Sequence, residues 1–353
     1  MDYSIFKGRR VLVTGSTGFK GSWLCTWLLH LGADVSGFAL APEPDAPLFD
    51  QLNLRERIDQ HDGDIRDADA VRAMLAATKP EIVFHLAAQP LVRYSYDEPK
   101  LTFDTNVSGA VNLLDAIRQD DGVKALVFVT SDKAYRNNEW IWGYRENDEL
   151  GGHDPYSASK AAAEIVFAGY QDSFFKNRPG FAAASVRAGN VIGGGDMSLD
   201  RIVPDCIRAV AKGEEIVLRN PSSTRPWQHV LEPLSGYMAV AAGLLTDPEQ
   251  TRGAWNFGPD AENVRTVEEL TQTAIDVWGA GSLRVERDAN QPHEANLLML
   301  NSDKAKSKLG WRVHWDFKTA VTNTVSWYKR VHDGEDPIAV TDEHIDAFVG
   351  DAK

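Results

Sequence analysis

The chain is short of cysteine, short of positive charge and free of long apolar runs. Only Cys25 and Cys206 occur in 353 residues, far apart and outside any CxxC pair. Zinc, iron–sulfur and redox-disulfide chemistry have no support, and no metal site is expected. Such a chain suits a reducing cytoplasm. Lys and Arg number 37 against 51 Asp and Glu, a net charge of −14. That balance argues against nucleic acid or an anionic membrane as the main partner. It leaves room for a small phosphate ligand held by backbone N–H groups and a few arginines. No window reaches about 18 uninterrupted apolar residues. The richest, Trp23–Leu31, is broken by Thr26 and His30. Met1–Arg10 lacks the apolar core of a signal peptide. No internal repeat or low-complexity tract is visible.

What is present reads as a soluble enzyme. At about 150 residues per domain the length predicts two domains, and burial at this size needs no disulfide or metal staple. Short apolar runs at Arg10–Thr14, Val35–Leu40, Ile82–Leu86, Ala125–Thr130 and Ala182–Arg187 read as buried strands. Helical patterns fall between them at Gly18–Leu31, Asp69–Ala77, Pro99–Arg118 and Tyr156–Phe174, with a charged helix or loop over Arg55–Gly63. This rhythm predicts an α/β fold, a doubly wound parallel sheet of the Rossmann kind. Residues 1–190 would form the dinucleotide-binding domain and 191–353 a smaller α/β substrate region. Part of 230–260 is expected to pack back on the sheet.

Thr14-Gly-Ser-Thr-Gly-Phe-Lys-Gly21 follows the first strand and opens the first helix. Glycines at 15, 18 and 21 allow a tight turn, a close approach to a pyrophosphate, and helix–strand packing. The helix N-terminus then faces the anion. Gly15, Thr17, Gly18, Phe19, Lys20 and Gly21 are the candidate cofactor loop. Further on, Tyr156 and Lys160 stand four apart on one helix face. A cation beside a phenol lowers its pKa from about 10 toward a working value. Tyr96 and Lys100 repeat the spacing, but Pro99 falls between them, so no continuous helix face joins that pair.

The GxxGxxG spacing with YxxxK resembles the short-chain dehydrogenase/reductase superfamily. That resemblance implies further NAD contacts at Asp64, Ile65, Leu86, Ala87, Ala88, Gln89 and Asn106, besides Tyr156 and Lys160. It also implies a catalytic hydroxyl at Ser131, with Thr130 buried in the strand. One departure stands out. The acidic residue that grips the NAD ribose at the end of the second strand is missing, since Phe38-Ala-Leu-Ala41 stands there. Glu43 and Asp45 come late, and no arginine marks a 2′-phosphate pocket. NAD remains the expected cofactor.

Arg187-Ala-Gly-Asn-Val-Ile-Gly-Gly-Gly-Asp196 resembles the sugar-diphosphate lining of the extended branch that acts on nucleotide sugars. Asn190 and Arg225 carry over as substrate contacts, and Arg201 and Arg219 are weaker candidates. Arginine suits the task because its fork pairs bidentately with phosphate oxygens. Ser131-Asp-Lys133, Tyr135, Glu139-Trp140, Gly143-Tyr-Arg-Glu-Asn147 and His293-Glu-Ala-Asn296 are similar to the CDP-glucose 4,6-dehydratases. That family oxidises C4, loses water across C5 and C6, and reduces C6. By resemblance, Asp132 is the acid for the 6-hydroxyl. Lys133 is the candidate C5 base, or an enolate stabiliser with Asp132 making both proton transfers. A lysine serves as base only where burial or neighbouring cations lower its pKa. Tyr135 is left open between packing and hydrogen bonding. His85 reads as a satisfied core histidine and the tryptophans as packing. The family's dimer implies a homodimer through a four-helix bundle of the Pro99–Arg118 and Tyr156–Phe174 helices, with Phe103 and Leu114 either at that interface or in the core. An NAD-dependent epimerase or dehydrogenase of another nucleotide sugar is the alternative. A non-catalytic nucleotide sensor is a third reading.

Overall fold

The computed structural model describes residues 3–43, 47–198, 201–286 and 297–351. The His293–Asn296 motif and Asp45 lie outside them. Six strands, β1 (Arg10–Thr14), β2 (Asp34–Ala39), β3 (Asp59–Asp62), β4 (Ile82–His85), β5 (Ala125–Val129) and β6 (Ala182–Ala188), are joined by a seventh, Gly253–Phe257. Their spatial order is seventh, β6, β5, β4, β1, β2, β3, and every pairing is parallel. The expected doubly wound sheet is therefore present. β5 and β6 are buried at every position, because helices cover both faces of the sheet. Trp23, Trp27, Leu234 and Tyr237 fill one face, and Leu75, Leu113, Leu114 and Phe167 fill the other. Leu114 is thus core, whereas Phe103 is exposed.

Three local departures have physical causes. β3 lies where a charged helix or loop was expected. It is a half-exposed edge strand, Asp-Gln-His-Asp, so it carries no apolar signal. The stretch from Pro99 is one helical path interrupted by a π-turn at Asp104–Ser108, where the Gly109 N–H reaches back to the Asp104 carbonyl. The Pro155–Tyr170 helix ends in a similar turn, with the Lys176 N–H bonded to the Gln171 carbonyl at 2.8 Å. Farther on, the Leu231–Thr246 helix packs on β5 and β6, and the Gly253–Phe257 strand pairs with β6. The remaining C-terminal chain packs the helices Ile202–Lys212, Val267–Trp278 and Phe317–His332 together beside short two-stranded ladders.

Trp23, Trp27, Trp311 and Trp315 are buried, while Trp142 stands exposed on a loop. His85 is buried and shares a 2.8 Å hydrogen bond with Thr14. Burial lowers its pKa to about 3, that of His344 to about 4, and that of His229 well below the ordinary value. Each is neutral when folded and takes up a proton on unfolding below about pH 6.5, so stability falls as pH falls through that window. The expected loss is about 1.4 kcal/mol per pH unit for each histidine. Asp132, raised by burial, offsets part of it. Urea unfolding at pH 7.5 and pH 5 should show a drop of several kcal/mol.

Candidate active site

The sheet order reverses between β4 and β1, and the crevice at their carboxyl ends is where a doubly wound sheet takes its ligand. Gly15 sits in that crevice with φ of +74°, a backbone region that favours glycine. A Cβ there would lie 2.8 Å from the Ala87 nitrogen, and a Cβ on Gly21 would lie 2.1 Å from the Gly15 carbonyl oxygen. No side chain caps the Phe19–His30 helix at Gly18, so its first N–H groups are open to an anion. The cradle fits a dinucleotide pyrophosphate. The Thr17 hydroxyl ties the loop to the Leu40 carbonyl at 3.0 Å, at the end of β2.

Several expected cofactor residues act on the protein itself. Asn106 accepts from the Gln89 N–H at 2.8 Å and donates to Ser159 at 2.8 Å, which fixes the β4 loop against the Pro155–Tyr170 helix. The Gln89 side chain is held by Thr102 and Leu91. Ala87 donates its N–H to the Thr14 hydroxyl at 3.2 Å. Ile65 is core, facing Gly109. Asp64 pairs with Arg66, whose guanidinium holds the carboxyl below the usual range.

The Pro155–Tyr170 helix starts sharply. Asp154 accepts from the Ser157 N–H at 2.9 Å, and Pro155 occupies the first turn, where a missing N–H costs nothing. Tyr156 and Lys160 follow on one buried face. At the end of β5, Ser131 caps a short turn over Asp132–Ala134 and donates to the Asp132 carboxylate at 2.9 Å. Asp132 is buried, Lys133 half-buried. Gly189 closes over the same carboxylate, where a Cβ would lie 3.0 Å from Oδ2.

Electrostatics divide these groups. Burial raises the Asp132 pKa, opposed first by the Lys133 charge and then by Ser131 and Lys20. Burial lowers Lys160 to about 8, with the Lys20 charge adding to the effect. Lys20 itself falls to about 8 through burial and then Arg201. Tyr156 differs from the sequence expectation. Burial pushes it up to about 12, and Ser131 is the first group to oppose that rise. The protein alone holds a phenol there. Tyr96 is exposed, and Lys100 pairs with Asp104.

Beneath the site lies a buried ion pair that the sequence reading missed. Arg187 on β6 donates to both oxygens of Glu164 on the Tyr156 helix, each at 2.8 Å. Thr130 and Ser185 also donate to Glu164. Tyr135, left open by the sequence, accepts from Arg187 at 2.6 Å and donates to Asn256 at 2.8 Å. The signal was an arginine inside a strand otherwise made of alanine, valine and one serine, which demands an anion once buried. Glu164→Gln would leave that arginine without its anion. A loss of about 3–5 kcal/mol is expected, read by chemical denaturation.

The substrate candidates are dispersed. Arg201 pairs with Asp196 at 2.8 Å and its charge reaches Lys20 and Tyr156. The Asn190 carbonyl accepts from the Gln228 N–H at 3.3 Å. Arg225 is half-buried and lies opposite Arg265 in a short ladder, a second cation the sequence reading did not single out. Arg219 is exposed.

The sequence pattern of the GDP-mannose 4,6 dehydratase family matches residues 12–324. This chain belongs to that family. It is 46% identical over 353 residues to a CDP-glucose 4,6-dehydratase of Salmonella typhimurium, covering 99% of this chain and 98% of that one. A dTDP-glucose 4,6-dehydratase from Streptomyces venezuelae, solved with NAD and TYD bound, superposes with a TM-score of 0.77 at 25% identity, over 93% of this chain and 99% of that one. A UDP-glucose 4-epimerase of Thermus thermophilus in complex with NAD superposes with a TM-score of 0.74 at 27% identity, over 91% and 99%. The resemblance read from the motifs is borne out, and the chain is a nucleotide-sugar dehydratase of this fold.

Proposed function

We propose that the enzyme converts CDP-D-glucose to CDP-4-dehydro-6-deoxy-D-glucose. The observation that carries this reading is the buried Asp132, held by Ser131 and raised in pKa, beside the Tyr156–Lys160 pair. The similarity to the CDP-glucose enzyme supports the choice of sugar nucleotide. NAD, when bound, accepts the electrons of the C4 oxidation and returns them at C6. Its pyrophosphate would rest on the Gly15–Gly21 loop. Tyr156, served by Ser131 and Lys160, takes the proton of the 4-hydroxyl. The resulting ketone makes the C5 proton acidic. Lys133, the next residue in the turn after Asp132, is the candidate to take it or to stabilise the enolate. Asp132 gives its proton to the C6 oxygen, and water leaves.

Gly21→Ala should weaken NAD binding by about tenfold or more, because its methyl would collide with the Gly15 carbonyl. Fluorescence titration with NAD reads this. A panel of CDP-, dTDP-, GDP- and UDP-glucose, read by 4-keto product, tests the substrate. Turnover of CDP-glucose without net NADH supports the reading. Turnover only of another member contradicts it.

The assembly reading is a homodimer through the Pro99–Gln119 and Pro155–Phe175 helical stretches. Phe103, Ile165 and Phe174 stand exposed there. Ile165→Asp should yield monomer by light scattering, and a monomeric parent would overturn this reading. Both thiols are free and buried, and no helix among the described residues is long and apolar enough to cross a membrane. A reducing cytoplasm suits such an enzyme.

A further inference from the structure

Tyr237 takes no part in the steps above, yet it lies beneath them. It sits on the Leu231–Thr246 helix, which packs on β5 and β6. Those strands lead into Ser131-Asp132 and Gly189, the two sides of the acid site. The residue is 0% exposed, and its ring meets Phe257 edge-on at 5.9 Å. Its hydroxyl makes no hydrogen bond within the protein. The ionisable groups that act on it are Asp132 and then Tyr156, and burial keeps it a neutral phenol. An unpaired buried hydroxyl costs about 1–3 kcal/mol. Phenylalanine would fill the same space without that cost, so packing alone does not account for a tyrosine here.

We propose that Tyr237 is a positioning residue for the dehydration step, its hydroxyl serving the Asp132 carboxylate that forms as the C6 oxygen departs. In that step the Asp132 O–H bond breaks and the proton goes to the C6 oxygen. The C6–O bond breaks, and the electrons of the C5–H bond form the C5=C6 double bond. The C5 proton passes to the base. Negative charge grows on Asp132, inside a buried pocket where a donor is worth more than in water. Ser131 supplies one donor at 2.9 Å. Tyr237 supplies a second from the core side, engaged only when the charge appears.

The proposal rests on the dehydratase reading, which turnover of CDP-glucose by the parent enzyme tests by itself. Tyr237→Phe is the test. The expected result is a kcat about tenfold lower at unchanged KM, with a melting temperature equal to or above the parent's. Losing a donor to the ionised form raises the Asp132 pKa, so the alkaline limb of kcat should move to higher pH. Parental kcat and an unmoved limb in a more stable variant would overturn the proposal. A lower kcat that merely follows a loss of folded protein, with the limb unmoved, would overturn it equally.

Discussion

Tyr156→Phe is expected to lower kcat by about 10³-fold or more while NAD affinity and melting temperature stay near the parent values. The ring remains, so packing in the site is kept; only the proton acceptor for the 4-hydroxyl is lost. Its environment sets the size of the effect. Tyr156 is buried and pushed up to about 12 in the free protein, so the phenolate exists only when other groups favour it. Ser131 opposes the rise from one side. Lys160 stands one helical turn on, lowered to about 8. Without the phenol, none of these groups can reproduce the transfer at the same place. Single-turnover kinetics with CDP-glucose read the loss at the C4 oxidation itself. A variant that kept parental kcat would remove Tyr156 from the mechanism.

Asp132→Asn is expected to separate the reaction into its parts. Water loss should fall by about 10²–10⁴-fold, the usual worth of a placed general acid. In the proposed cycle oxidation at C4 relies on Tyr156, not Asp132, and should persist, so NADH should accumulate toward one equivalent per site on addition of CDP-glucose. The parent is expected to show no net NADH, because in the proposed cycle each oxidation is reversed at C6. Asparagine keeps the shape under Gly189 and still accepts from Ser131, but it has no proton to give. Burial raises the Asp132 pKa, the direction that favours a proton donor. Absorbance of NADH and analysis of the sugar at C6 decide the outcome. Normal product without NADH accumulation would assign the acid elsewhere.

Most of the sheet was legible because buried parallel strands are short apolar runs, as at Arg10–Thr14 and Ala125–Val129. β3 was not, because an edge strand of Asp-Gln-His-Asp buries too little to leave a pattern. The π-turns at Asp104–Ser108 and Gln171–Phe175 have no period of their own and read as ordinary helix. In the site, the glycine loop and the Tyr156–Lys160 face were legible from local spacing. The Glu164–Arg187 pair was not, since its two members lie on different elements and only the fold brings them together. Motif resemblance pointed to Ser131 and Asp132, but the upward shift of Asp132 comes from burial, which no local sequence shows. Asn106 and Gln89 were expected as cofactor contacts, and their side chains brace the loop itself.

In the proposed cycle one oxidation at C4 is reversed at C6 of the same sugar after Asp132 has helped expel water. CDP-glucose carrying deuterium at C4 tests it most directly. The expected result is a 4-keto-6-deoxy product with deuterium at C6, no net NADH, and one proton from the medium at C5. A product that keeps its C6 hydroxyl, or one whose deuterium remains at C4, would contradict it.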